Sequence, residues 1–239
     1  MAENASRIKS LGYSTIKAHL GRKPPKEDLQ RVKALRDALG PEVNLMIDLN
    51  GGYDSLQALQ AAKLWEQFDL YWLEEPMNAN AIDSLADLQV RTTIPIAGGE
   101  NEFRVYGFKR LFDKGALNVA MPDIGRAGGI QETRNICALA QAYGILISPH
   151  NYSSGVLLGA TIQLMASLPN AHLLEIDTSE NAVYQELLMA PLEIKNGFVS
   201  VPQFPGLGVK LDKDVLKISG GNTQINFESE LIEKPHLDE

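Results

Sequence analysis

A chain of 239 residues, 44% hydrophobic and 22% charged, has an ordinary globular composition and is long enough to bury one large core. Its formal net charge of −8, with no run or cluster of Lys and Arg, excludes the electrostatic footprint of a nucleic-acid binder. The single cysteine, Cys137, excludes an intramolecular disulfide, and no run of about 18 apolar residues is present to span a membrane.

Met1–Leu11 reads as a helix ended by Gly12. Its opening, Met-Ala-Glu-Asn-Ala-Ser-Arg, lacks the apolar centre of a signal peptide, so a cytoplasmic location is the default expectation. Ser14–Leu20 follows as a strand. Glu27–Leu39 places Leu29, Val32, Leu35 and Leu39 three or four residues apart and meets Gly40, the pattern of an amphipathic helix with its stop. Strand candidates then alternate with helical runs: Asn44–Asp48, Ser55–Phe68, Leu70–Leu73, Ala81–Gln89, Ile94–Ala97, Arg104–Lys114, Leu117–Ala120, Gly129–Tyr143, Ile145–Ile147, Ser154–Leu168 and His172–Glu175. Cys137 lies in the apolar run 136–140 and reads as a small buried hydrophobe.

Strands this short and this apolar suit a parallel sheet covered by helices, and strand–helix alternation predicts right-handed βαβ units. Seven strands and a helical start leave the chain one strand short of a closed eight-stranded barrel. The expectation is a TIM-like α/β barrel over residues 1–210 lacking its first strand, with a seven-stranded or open sheet as the alternative. After Glu175 the rhythm breaks. Leu192–Lys195 and Phe198–Val201 flank Asn196-Gly197, a type I′ hairpin signal. Residues 211–239 form a C-terminal tail that is polar and without period from Gly220 onward, expected to be loosely ordered.

The ionisable residues at the C-terminal ends of these strands are Lys17 and His19, then Asp48, Glu74, Glu100, Asp123, His150 and Glu175. From Asp48 the successive gaps are 26, 26, 23, 27 and 25 residues. One βα unit has about this length, so each residue falls at a similar height around the mouth, where barrel enzymes build their active sites. Asp48, Glu74 and Glu100 come from three consecutive strands. Three converging carboxylates repel one another unless a hard divalent cation offsets their charge, and all-oxygen ligation selects Mg²⁺ or Mn²⁺ over Zn²⁺. Glu75 should point away from Glu74 because side chains alternate along a strand; an ion pair behind the sheet and an outer contact to the site are both open to it. Lys17 and His19, two apart, share one face. Asp123 and His150 end neighbouring strands, which can bring a carboxylate within hydrogen-bond reach of an imidazole, where it would fix the tautomer and raise the basicity of His150. His172 and His236 read as a strand-start and a tail residue.

Six segments carry a resemblance to the enolase superfamily, in its mandelate-racemase subgroup. They are Ile16-Lys17-Ala18-His19-Leu20-Gly21, Ile47-Asp48-Leu49-Asn50, Trp72-Leu73-Glu74-Glu75-Pro76, Ala97-Gly98-Gly99-Glu100, Pro122-Asp123-Ile124-Gly125-Arg126-Ala127-Gly128-Gly129 and Ser148-Pro149-His150-Asn151. The resemblance covers roughly residues 1–210. It implies Mg²⁺ on Asp48, Glu74 and Glu100, and a basic pair on one face of the substrate opposed by the Asp123–His150 dyad on the other. It also implies a substrate carboxylate bonded by Glu175, with Asn50 and Asn151 as further substrate-binding candidates. Family members commonly form homo-oligomers and carry an N-terminal α+β capping domain. That domain is absent from this chain, which therefore looks like a C-terminal piece of a longer enzyme or a truncated product.

The subgroup's usual pair is Lys-x-Lys, whereas Lys17-Ala18-His19 resembles the Lys-x-His form of some acid-sugar enzymes. Either residue could be the base; Lys17 is favoured because a desolvated neutral amine is the stronger one. The resemblance points to a small-molecule sugar acid that loses the proton next to its carboxylate, giving dehydration or lactone or anhydro-ring cycloisomerisation. Racemisation by the same residues, or an inactive barrel acting only as a binding module, are the alternatives.

Overall fold

Apolar strands without polar alternation can pair in parallel only where helices cover the sheet. The computed structural model describes residues 1–179, Tyr184, Ile194, Lys195 and residues 197–209. Within them β1 (Thr15–His19), β2 (Asn44–Asp48), β3 (Leu70–Glu74), β4 (Ile96–Gly98), β5 (Val119–Ala120) and β6 (Leu146–Ile147) follow one another across a single sheet, each parallel to the next. The helices are α1 (Ala2–Ser10), α2 (Pro25–Leu39), α3 (Ser55–Trp65), α4 (Ile82–Arg91), α5 (Arg104–Asp113), α6 (Ile124–Ala127), α7 (Gly129–Ala142) and α8 (Gly155–Ala166).

Local chemistry sets several of these boundaries. Pro25 occupies the first position of α2, where its missing N–H costs nothing. Asp54 and Gln57 bond each other's backbone N–H in a capping box that opens α3. The Ser154 hydroxyl accepts from Leu157 N at the start of α8. The expected helix 55–68 is split into α3 and a 3-10 turn, Glu66–Phe68, before Asp69 turns left-handed. The short helix α6 was not apparent in the sequence: four residues are too few to show a 3.6-residue period.

The expected strand His172–Glu175 needs correction. Ala171 makes an isolated parallel bridge to Ile147, and His172 N bonds Ile147 O at 2.8 Å. The next amide, Leu173 N, bonds the Ser148 hydroxyl at 3.1 Å instead of a carbonyl. The ladder stops there, so this segment lies beside β6 without being a regular strand.

Side-chain alternation divides the packing in two. Leu45, Ile47, Leu73, Ile96, Ala120 and Ile147 face the helices and join Val32, Leu35, Ala58, Trp65, Phe108 and Ile136 in the main core. Met46, Trp72, Ala97, Val119 and Met121 form a smaller cluster on the opposite face, together with Tyr71 and Leu173. This inner cluster is the floor beneath the polar residues at the strand ends. A register shift between Leu45 and Met46 sits opposite Tyr71, whose hydroxyl is hydrogen-bonded to His172 Nε2 at 2.6 Å. His172 is thus a packed partner at the inner face, and burial lowers its pKa. Cys137 is buried in the main core as expected, and burial pushes its thiol up to about 12.

β7 (Ile194–Lys195) pairs antiparallel with β8 (Phe198–Val199), and Gly197 adopts φ 78°, as the hairpin signal required. Asn196, His236 and residues 210–239 lie outside the described residues. Among the described residues no helix is long and apolar enough to cross a membrane.

Candidate active site

Asp48 and Glu74 are the last residues of β2 and β3, and Glu100 lies two residues beyond β4. One ligand oxygen from each falls within 4.8 Å of the others, and all three side chains are buried. The backbone is strained beside this trio: Asn50 and Glu75 hold φ of 43° and 36°, a conformation costly for residues other than glycine.

Lys17 and His19 share the inner face of β1, as the two-residue spacing predicts. The Lys17 ammonium donates to Glu74 Oε1 at 2.6 Å, lies 2.6 Å from Glu175 Oε1 and 3.8 Å from Asp48 Oδ2. Burial pulls its pKa down, but Glu74, Glu175 and Asp48 outweigh burial and hold it above the ordinary lysine value. His19 is largely exposed, with Nδ1 3.2 Å from Asp48 Oδ2 and 3.1 Å from Asn50 Oδ1. Asn50 in turn donates to Asp48 from its backbone N at 2.8 Å and from Nδ2 at 3.2 Å. Asp48 is held below the usual carboxylate range although burial opposes this; the His19 bond and the Lys17 charge prevail.

Across the site His150 Nδ1 donates to Asp123 Oδ2 at 2.7 Å, and Nε2 lies 3.2 Å from Glu100 Oε2. Burial lowers the imidazole pKa, but the Asp123 bond and the charges of Glu100 and Glu175 raise it above its ordinary value. Asp123 also caps α6, accepting from Gly125 N at 2.7 Å and Arg126 N at 3.2 Å, which fixes its other oxygen on the histidine. Glu175 accepts from Asn151 N at 2.7 Å through Oε2, so two of the three expected substrate contacts touch each other, and Glu175 also reaches Lys17. Asn151 also bonds Glu175 O at 3.1 Å and the Tyr184 hydroxyl at 3.3 Å.

Every expected site residue therefore stands in one connected cluster. The structure adds three more. Trp72 Nε1 donates to Glu74 Oε2 at 3.0 Å; its position two residues before Glu74 on the same strand face was the available signal. Asn101 Nδ2 reaches Glu75 Oε2 at 2.8 Å and Glu100 Oε1 at 3.3 Å. Arg126 Nη1 is 3.6 Å from Glu100 Oε1 and 3.3 Å from Asn101 Oδ1. Asn101 follows Glu100 directly in the chain but had no role assigned to it, and Arg126, inside the Pro122–Gly129 segment, reaches Glu100 only through folding. Glu75 is an outer contact to the site and makes no ion pair among the described residues; burial, then Glu100, raises its pKa.

The donor set fits a hard divalent cation. Asp48, Glu74, Glu100 and Glu175 converge with Lys17 as the buried ammonium among them. The negative surplus shows in Glu74, pushed up to about 7 by burial, with Asp48 and Glu175 adding and Lys17 opposing. A divalent ion on three carboxylate oxygens would offset that surplus.

The D-galactarolactone cycloisomerase of Agrobacterium fabrum is 34% identical over 227 residues, which is 90% of this chain and 60% of that protein. The D-xylonate dehydratase of Haloferax volcanii is 30% identical over 230 residues, 90% of this chain and 56% of that protein. Among solved structures, the 3,6-anhydro-D-galactonate cycloisomerase of Zobellia galactanivorans superposes with a TM-score of 0.86 at 39% identity, covering 91% of this chain and 61% of that one. A racemase from Streptomyces coelicolor with bound magnesium gives 0.81 at 32% identity, covering 89% and 57%. The chain thus spans less than two thirds of the length of each. The family model described as enolase C-terminal domain-like matches residues 1–215, and the chain belongs to that family.

Proposed function

We propose that this chain carries the barrel and catalytic groups of an enzyme that removes the proton next to the carboxylate of a sugar acid, leading to dehydration or to lactone or anhydro-ring cycloisomerisation. One observation carries the reading: two proton-transfer groups hang on different members of one buried carboxylate trio, Lys17 on Glu74 and His150 on Glu100. Cycloisomerases and dehydratases of sugar acids among the relatives support that substrate class.

Asp48, Glu74 and Glu100 would hold Mg²⁺, with Mn²⁺ as the substitute their oxygen chemistry also allows. When bound, the ion supplies positive charge to the two carboxylate oxygens that become electron-rich as the proton leaves. Lys17 is raised by Glu74, Glu175 and Asp48. Neutralising Glu74 and Asp48 leaves burial as the dominant influence, which favours the neutral amine a base requires. His19 is the other candidate base, exposed enough to meet a substrate and oriented by Asn50. Opposite them His150, its Nδ1 fixed by Asp123, presents Nε2 as the acid. Protonating a leaving hydroxyl releases water and leaves an enol, whereas protonating a ring oxygen opens the ring. Glu175 and Asn151 are placed to hold the substrate's polar groups.

Protonation by His150 of the same carbon would give racemisation instead, a reading favoured by the similarity to a racemase. Incubation with Mg²⁺ in D₂O and a panel of sugar acids separates the outcomes. Water loss, ring opening, or deuterium on the α-carbon without either identifies each reaction. No change with any acid would leave a barrel without this chemistry.

A further inference from the structure

Asp28 is the one carboxylate outside the strand-end cluster that is wholly buried among the described residues. An acidic side chain in the first turn of a helix ordinarily faces solvent and favours the helix dipole. Here Asp28 turns inward. Its Oδ2 accepts from Gly21 N at 3.0 Å and from the Tyr53 hydroxyl at 2.8 Å, and its Oδ1 accepts from Arg31 Nη1 at 2.7 Å. Gly21 belongs to the loop leaving β1 and Tyr53 to the loop leaving β2, so one oxygen holds two loops at once.

Those loops touch backbone to backbone. A Cβ at Gly52 would lie 2.5 Å from Gly21 O and 2.8 Å from Leu49 O, and Gly21 itself has φ 88°. With no side chain between them, neither loop can shift without the other. Two residues before Gly21 is His19, and three before Tyr53 is Asn50. These meet at 3.1 Å, and both contact Asp48. Tyr53 is buried, bridges to Met77, and has its phenol pKa raised by burial and by Asp28, which keeps it a donor.

We propose that Asp28 is a positioning residue: its buried carboxylate ties the β1–α2 and β2–α3 loops together and so sets His19 and Asn50 against Asp48. The assignment rests on the reading of Asp48 as a ligand of the divalent ion. A partner bonded directly to a ligand, as Asn50 is to Asp48, typically governs ion affinity by ten- to a hundredfold, and Asp28 acts on that contact.

The test compares Tyr53→Phe, which removes one of the two donors on Oδ2, with Arg31→Gln, which removes only the donor on Oδ1. Both are studied on the full chain, checked for folding by circular dichroism, and read by Mg²⁺ titration calorimetry and by NMR signals of the Asn50 amide and the His19 ring. Tyr53→Phe is expected to weaken Mg²⁺ binding by about tenfold and to move both signals. Arg31→Gln is expected to lower thermal stability and leave both readouts in place. Asp28→Ala should exceed Tyr53→Phe, and Asp28→Asn, which keeps an acceptor oxygen, should recover part of the loss. Unmoved signals in folded Tyr53→Phe overturn the positioning role. Moved signals in a chain that binds no Mg²⁺ uphold the coupling of the loops and instead sink the metal reading beneath it.

Discussion

Lys17 Nζ donates to Glu74 Oε1 at 2.6 Å, so the candidate base and a candidate metal ligand form one buried ion pair. The pair must part, or at least share its charge, whenever Glu74 takes a cation. Proton transfer and ion binding are therefore coupled through a single contact.

Removing either proton-transfer group should cut turnover steeply without abolishing ion binding, since neither is one of the three candidate ligands. Lys17→Ala and His150→Asn are each expected to lower the rate by about 10²–10⁴-fold, the usual contribution of a positioned acid or base. Mass spectrometry of substrate recovered from D₂O checks this, since the base-deficient variant should lose exchange at the α-carbon. Full activity in both variants would remove the assigned roles.

Ion binding should stabilise the folded chain by mass action, since the converging ligands Asp48, Glu74 and Glu100 are brought together only by the fold. At a concentration a hundred times the dissociation constant the gain is about 2.7 kcal/mol. Differential scanning calorimetry with and without Mg²⁺ measures it, and Glu100→Gln should abolish the difference.

In the ion-free chain stability should fall as pH rises. Glu74 is raised from 4.5 to about 7, so its contribution is complete below 4.5 and disappears as pH rises through about 7. His150 is raised above 6.5 and acts in the same direction, losing its contribution as pH climbs through that raised value. Asp48 and Asp123 are depressed, so their contributions are lost only on strong acidification. Melting temperatures from pH 5 to 8 in chelator should decline, and Glu74→Gln should flatten the slope. A flat wild-type profile would contradict these shifts.

Gly52→Ala tests the close approach of the two loops without touching a charged group. The new methyl would stand 2.5 Å from Gly21 O, so backbone must move at a cost of about 1–3 kcal/mol, seen in urea unfolding. A neutral effect would show that the loops have room to separate.

The strand-end residues were legible because their spacing follows the βα unit, and Lys17 with His19 because strand alternation puts both on one face. His172–Glu175 misled because an apolar, β-rich run does not reveal that Ser148 will capture the amide of Leu173. Arg126 and Asn101 went unassigned for a related reason: each is polar and exposed, and only the fold brings Arg126 to Glu100 and turns Asn101, the neighbour of Glu100 in the chain, onto Glu75. Nothing in the sequence separates Asp28 from any other acidic first-turn residue; only the fold closes Tyr53 and Gly21 over it.

Sequence by itself determined the parallel strand–helix order, the carboxylates and bases at the strand ends, and the family they resemble. Those depend on local period and residue type, which are properties of the chain. Tertiary structure alone decided which oxygen faces which nitrogen: Glu175 on Lys17, His150 on Glu100, and Asp28 beneath the loops that carry His19 and Asn50. Such contacts join residues far apart in sequence, and their charges shift one another's proton affinity only once burial has removed the water that would screen them.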